Sequence, residues 1–130
     1  MKAHIVKIKD IPYPVELKMY NLMSGYYCNV TQGRFHSDLR EKDFVIMLIE
    51  DGELRGFSTQ VLYTIHIKGQ KVRVLFSGDT ITHRNYRNSM VLSLEWGRKM
   101  KEIEESNPDI PLYWALTSNG YKTYRFLPTF

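Results

Sequence analysis

The chain has 130 residues, of which 43% are apolar, 13% aromatic and 25% charged. Those fractions suit one domain around one core and exclude a disordered or low-complexity chain. Lys and Arg number 18 against 14 Asp and Glu, a net charge of +4, which suits an anionic partner such as a phosphate-bearing cofactor, nucleic acid or a membrane surface.

Ala3 to Lys9 alternates, with His4, Val6 and Ile8 against Ile5, Lys7 and Lys9, the pattern of a strand. Pro12 and Pro14 break it, because proline fixes φ and removes a donor. From Pro14 to about Val30, the spacing of Leu17, Tyr20, Leu22, Met23, Tyr26 and Tyr27 predicts one amphipathic helix or two short ones. Thr31 to Lys42 is polar and reads as a loop with a short helical turn at Phe35 to Leu39. Phe44 to Glu50 is a near-continuous apolar strand, as expected of one covered on both faces. Asp51-Gly52-Glu53 turns the chain into a second strand, Leu54 to Ile67, where Gly56 marks a bulge or a close backbone approach. Lys68-Gly69-Gln70 turns it again into a third, with Val72, Val74 and Phe76 on one face. These three strands form an antiparallel meander.

After residues 78 to 88, a helix is expected from about Ser89 to Glu105, with Asn85 or Asn88 as its N-cap and Leu92, Trp96, Met100 and Ile103 in its apolar stripe. Leu112 to Thr117 reads as a further strand. Beyond it, Asn119-Gly120 signals a hairpin, whereas Tyr121, Tyr124 and Leu127 are spaced for a short helix. The order of elements makes an α/β (α+β) sandwich. The longest apolar run is far short of the ~20 residues that span a bilayer, and Met1 to Lys7 lacks a signal-peptide stretch, so a soluble cytoplasmic protein is expected.

The strongest chemical signal is the junction of the third meander strand with the following helix, Ile81 to Ser89. A helix N-terminus offers unbonded N–H groups and the positive end of a dipole. Here Arg84 and Arg87 reinforce it, with His83 beside them, which matches a pyrophosphate. The plainer alternative is a solvated basic loop with an ordinary cap. Arg98, Lys99 and Lys101 lie further along the same helix, where cations are favourable without any ligand. Asp79, at a strand end close to this junction, is placed to act as a general base or to cap the loop. The four histidines show no metal-ligand spacing, and the single cysteine, Cys28, allows neither an internal disulfide nor a cysteine-based zinc site. On its tyrosine-rich segment it reads as a buried thiol.

From the first strand through Leu112 the order of elements resembles the Gcn5-related N-acetyltransferase (GNAT) superfamily. Phe35 to Leu39 followed by Phe44 to Phe57 looks like its second and third strands, and His83 to Asn88 looks like the entry to its acyl-CoA loop. The resemblance implies a mixed, mainly antiparallel sheet with helices on both faces. It implies acyl-CoA, acetyl or longer, as co-substrate, held at Ile81, Thr82, His83, Arg84, Arg87, Asn88 and Ser89. The superfamily's Arg/Gln-x-x-Gly-x-Gly/Ala turn falls on Arg87 to Leu92, where Met90 and Leu92 stand in place of small residues. Asp79 and Glu50 are then the candidate bases, and Tyr121 and Tyr124 the candidate acids for the departing thiolate. The implied acceptor is a small-molecule or peptide amine. Residues 1–130 are expected to form a single domain lacking the superfamily's last helix and strands, either as the N-terminal part of a longer protein or completed by a homodimer mate or another chain. The alternatives are a non-catalytic relative that binds or assembles, and, third, a basic nucleic-acid-binding module.

Overall fold

The structure, a computed structural model, describes residues 1–27, 29–87, 89–118 and 121–128, with the backbone alone from 116 onward. In chain order, β1 (Lys2–Lys7) leads through a 3-10 turn (Ile8–Asp10) to α1 (Tyr13–Ser24) and α2 (Gln32–Arg40). There follow β2 (Phe44–Glu50), β3 (Glu53–Ile67), β4 (Gln70–Thr82), a second 3-10 turn (Arg84–Tyr86), α3 (Val91–Ser106), β5 (Leu112–Ser118) and β6 (Tyr121–Pro128). The strands make one six-stranded sheet in sequence order. Every neighbouring pair is antiparallel except β4 with β5, which are parallel. A parallel pair needs a crossover, and α3 supplies it.

Both tight hairpins owe their geometry to left-handed backbone. Asp51 and Gly52 have φ of 54° and 75°, and Lys68 and Gly69 have 51° and 79°, the combination that matches the twist of the flanking strands. β2 is buried from Phe44 to Leu48 because helices cover both faces of the sheet. On one face Met19 and Met23 of α1 and Phe35 and Leu39 of α2 pack on Val45, Met47, Phe57 and Ile81. On the other, Met100 and Ile103 of α3 pack on Phe44, Ile46, Leu75 and Leu112. The sandwich expected from the sequence is the observed one.

Gly56 adjoins a bulge, whose extra residue is Arg55, and is itself a close approach. The β2–β3 register shifts between Leu48 and Ile49, and a Cβ at Gly56 would lie 2.8 Å from the Ile81 carbonyl oxygen. Arg73, buried in β4, ties the end of α3 to the sheet. Its guanidinium donates to the carbonyls of Ile103 (2.7 Å), Asn107 (2.8 Å) and Ile110 (2.9 Å), acceptors that the end of a helix leaves open.

Several local expectations are corrected. Thr31–Lys42 is mainly a nine-residue helix. The Thr31 hydroxyl accepts from the Arg34 amide at 3.3 Å, and Phe35 and Leu39, one turn apart, bury its apolar edge. Phe35 to Leu39 therefore belongs to α2 and not to the strand pair, which is β2 and β3. The preceding helix ends at Ser24 rather than near Val30, with Gly25 donating back to the Asn21 carbonyl. β1 stops at Lys7. α3 begins at Val91, and the Ser89 hydroxyl, not Asn85, accepts from the Val91 amide. Asn88 and Cys28 lie outside the described residues. Tyr121–Pro128 is a strand antiparallel to β5, so the short-helix alternative falls.

Candidate functional site

The site begins with a fault in the sheet. β4 pairs with β5 only from Arg73 with Leu112 to Ser77 with Leu116. Beyond Ser77, β4 continues to Thr82 on β3 alone, and β5 continues to Ser118. The two parallel strands thus part. At the same place Gln60 pairs with Ser77 and Ser58 with Thr80, so Gly78 and Asp79 together face Thr59. This is a β-bulge, which bends a strand and re-aims its side chains.

A chain of hydrogen bonds holds the bulge on the α3 face. Trp114 Nε1 donates to Ser77 Oγ (2.8 Å), and Ser77 Oγ donates to Gln60 Oε1 (2.8 Å). Gln60 Nε2 donates to Ser58 Oγ (2.8 Å), and the Thr80 hydroxyl donates to the Gly78 carbonyl (3.1 Å). The 2.7 Å contact between Ser58 and Thr80 therefore has Ser58 as donor. Each hydroxyl gives one proton and takes one, so these buried polar groups cost little desolvation. Ser58, Ser77 and Thr80 floor a cavity of about 380 Å³ walled by Leu92, Trp96 and Trp114.

On the opposite, α2 face stands Asp79. Burial raises its carboxyl above the usual 3.8; Lys42 pulls it down, Asp38 pushes it up and Arg34 pulls it down again. Lys42 crosses here because Gly78 has no side chain: a Cβ at Gly78 would lie 3.1 Å from Lys42 Cε. The ammonium also sits 5.6 Å from the Phe76 ring centroid. A carboxyl held above its ordinary value at the parting of two strands is a candidate for exchanging a proton with a bound group.

The loop after β4 is organised by aromatic rings. The Arg84 amide donates to the Tyr26 hydroxyl (2.8 Å), and the guanidinium carbons of Arg84 and Arg87 lie 6.0 Å and 5.1 Å from the Tyr26 ring. Arg87 Nε donates to the Thr82 carbonyl (3.1 Å). His83 Nδ1 accepts from the Asn85 amide, and its ring meets Tyr26 and Tyr86 edge-on. Ile81 is different. Its side chain is core, 3% exposed against α1, so only its backbone is available to a ligand. Met90 is 67% exposed, while Leu92 packs towards Trp96 and Trp114; the Met90 side chain points into solvent.

The remaining site candidates are dispersed. Glu50 ends β2 with its carboxylate 3.3 Å from the Met1 ammonium, five positions along β2 from Val45, the partner of Thr59. The structure does not bring it to Asp79. Tyr121 and Tyr124 lie on β6 at register positions opposite Ser118 and Thr117, on the part of β5 beyond its pairing with β4. Arg98, Lys99 and Lys101 pair with Glu95, Glu102 and Glu105 on their own helix. Among the described residues no group of three His, Cys, Asp or Glu side chains could hold a metal, and no helix is long and apolar enough to cross a membrane. Lys42, Tyr26 and the Ser58–Gln60–Ser77 network were not singled out from the sequence. The available signal was three consecutive polar residues, Ser58-Thr59-Gln60, in the middle of a buried strand.

No protein-family model and no curated protein matches the sequence. Solved structures do match. An Enterococcus faecalis V583 protein described as a probable N-acyltransferase has a TM-score of 0.64 and 14% identity over 91% of this chain, which spans 30% of that one. A Clostridium acetobutylicum predicted acetyltransferase with acetyl-CoA has a TM-score of 0.62 and 13% identity, covering 93% of this chain and 82% of its own. AAC(6')-Iy in complex with the bisubstrate analog CoA-S-monomethyl-acetylneamine has a TM-score of 0.63 and 12% identity, covering 92% and 82%. At such identities the likeness concerns architecture, and the architecture of this chain is that of the Gcn5-related N-acetyltransferases.

Proposed function

We propose that the protein is an N-acyltransferase that moves an acyl group from acyl-CoA to a primary amine. The observation that carries this reading is the parting of β4 from β5 at a bulge, with a half-buried carboxyl, Asp79, beside it. The parted strand exposes backbone N–H groups that can polarise a thioester carbonyl without reorganisation. The amine attacks the carbonyl carbon directly and forms a C–N bond. Asp79, or a water relaying to it, takes the amine proton. Collapse of the tetrahedral intermediate breaks the C–S bond, and the thiolate recovers a proton from Tyr121 or Tyr124. The pyrophosphate lies against residues 83–89 and the first turn of α3, where Arg84 and Arg87 add charge-assisted contacts.

The test is release of free CoA thiol from acetyl-CoA and longer acyl-CoAs with a panel of amines. Release that depends on both acyl-CoA and amine supports the reading; none with any pair overturns it. A second reading is favoured by Met90 and Leu92 at the positions where the superfamily turn has small residues. It is a GNAT-like domain that binds CoA without turnover, or that binds a protein partner instead.

A further inference from the structure

On the β1 edge of the sheet, where β1 ends and β2 begins and level with Ser77 of β4 in the strand register, lies a cavity of about 830 Å³. Five cations line it: Lys7, Lys9, Arg40, Lys42 and Lys99. They come from β1, the first 3-10 turn, the end of α2, the connection between α2 and β2, and α3, so folding, not local sequence, gathers them. Two carboxylates share the wall, and both are already engaged. Glu16, 5% exposed, is held by His36 Nδ1 at 2.7 Å and by Arg40 at 3.8 Å. Asp43 Oδ2 accepts the Leu62 amide at 2.7 Å. Five cations against two carboxylates place a charge of +3 around one cavity in a chain whose net charge is +4. Lys99 is 3.1 Å from Glu102, whereas Lys7 and Lys9 make no ion pair among the described residues. Ile8 and Leu39 on the α1/α2 face and Ile5 on the α3 face line the cavity around the β1 edge with aliphatic surface.

We infer that this cavity binds a small organic phosphate with an apolar body. Like charges gathered in one concavity repel one another and focus a positive potential into it. A dianionic head relieves that repulsion through charge-assisted hydrogen bonds, and the isoleucines and Leu39 cover its apolar part, the usual division of labour in a small-molecule pocket. The cavity shares Lys42 with the surroundings of Asp79, but none of its lining residues lies at the β4–α3 junction, residues 81–92. Lys99 lies eight residues into α3, roughly 12 Å along its axis from Val91 at 1.5 Å per residue.

The experiment is an NMR titration of the ¹⁵N-labelled chain with hexyl phosphate, with inorganic phosphate, hexanol and a short oligonucleotide as comparison probes. Hexyl phosphate is expected to shift the amides of residues 7–11 and 40–44 saturably, and to bind more tightly than inorganic phosphate or hexanol. The doubly substituted Lys7→Glu, Lys9→Glu chain, changed only at exposed positions, is expected to weaken binding about tenfold or more. Arg87→Ala is expected to leave it unchanged. Unaltered binding in the double variant overturns the inference. Shifts confined to residues 83–92 also overturn it, as does an oligonucleotide that binds these residues when hexyl phosphate does not.

Discussion

Replacing Arg73 by methionine keeps the buried stem and removes the guanidinium, which isolates the tie between β4 and the end of α3. Three short bonds are lost, to Ile103, Asn107 and Ile110. The Ile103 carbonyl keeps a donor in the Ser106 hydroxyl and the Asn107 carbonyl keeps one in the Ile110 amide, so the half-buried Ile110 carbonyl is the one left without its donor. An unmet buried acceptor costs about 1–3 kcal/mol. Part of that is returned, because the buried cation no longer has to be desolvated. The net expectation is a loss of about 2 kcal/mol, with roughly 1.3 M off the urea midpoint at a slope near 1.5 kcal/mol/M. Urea unfolding followed by circular dichroism measures it. Arg73→Lys retains the charge but reaches fewer carbonyls, so it should fall between wild type and Arg73→Met. A loss below about 0.5 kcal/mol for Arg73→Met, within the range of ordinary surface substitutions, would refute the reasoning.

Three further outcomes follow from the same geometry. Gly56→Ala sets a Cβ against backbone at Ile81 and Thr82 and should destabilise by about 1–3 kcal/mol; Gly33→Ala, with nothing within 4 Å in α2, should gain up to about 1 kcal/mol. Asp79 binds its proton more tightly folded than unfolded, so its contribution to stability falls as pH rises from 3.8 through the raised value. Asp79→Asn should therefore flatten that slope in pH-dependent melting and be no less stable at pH 7. In the same variant the acid limb of kcat/KM, with its midpoint above 3.8 in the wild type, should disappear, and the rate should drop about 10²–10⁴-fold. Arg87→Ala should weaken acetyl-CoA binding by roughly ten- to a hundredfold, the worth of one charge-assisted contact, while shifting the unliganded melting temperature little; calorimetric titration checks the first and thermal melting the second.

The meander was legible because its signals are local. Asp51-Gly52 and Lys68-Gly69 demand left-handed backbone, and the apolar run from Phe44 requires cover on two faces. The sandwich and the place of α3 followed from the same periodicity. α2 was hidden by its composition, since only Phe35 and Leu39 of its nine residues are buried and its start rests on one threonine cap. At the site, the position of Asp79 and of the basic loop could be read from the order of elements. What the arginines touch could not, because Tyr26 approaches from the turn after α1 across 58 residues of sequence. The basic cavity was equally invisible, since its five cations are scattered from residue 7 to residue 99 and only the fold collects them. Ile81 lies at the junction, and strand alternation turns its side chain into the core, a contact the order of elements does not reveal.

The most direct test of the central claim is where acetyl-CoA binds. A structure of the complex, or an NMR titration of the labelled chain, should place the pyrophosphate against residues 83–89 and the start of α3, with the thioester along residues 78–82 where β4 leaves β5. Acetyl-CoA at millimolar concentration that shifts none of these residues, or that binds only at another surface, would contradict the account.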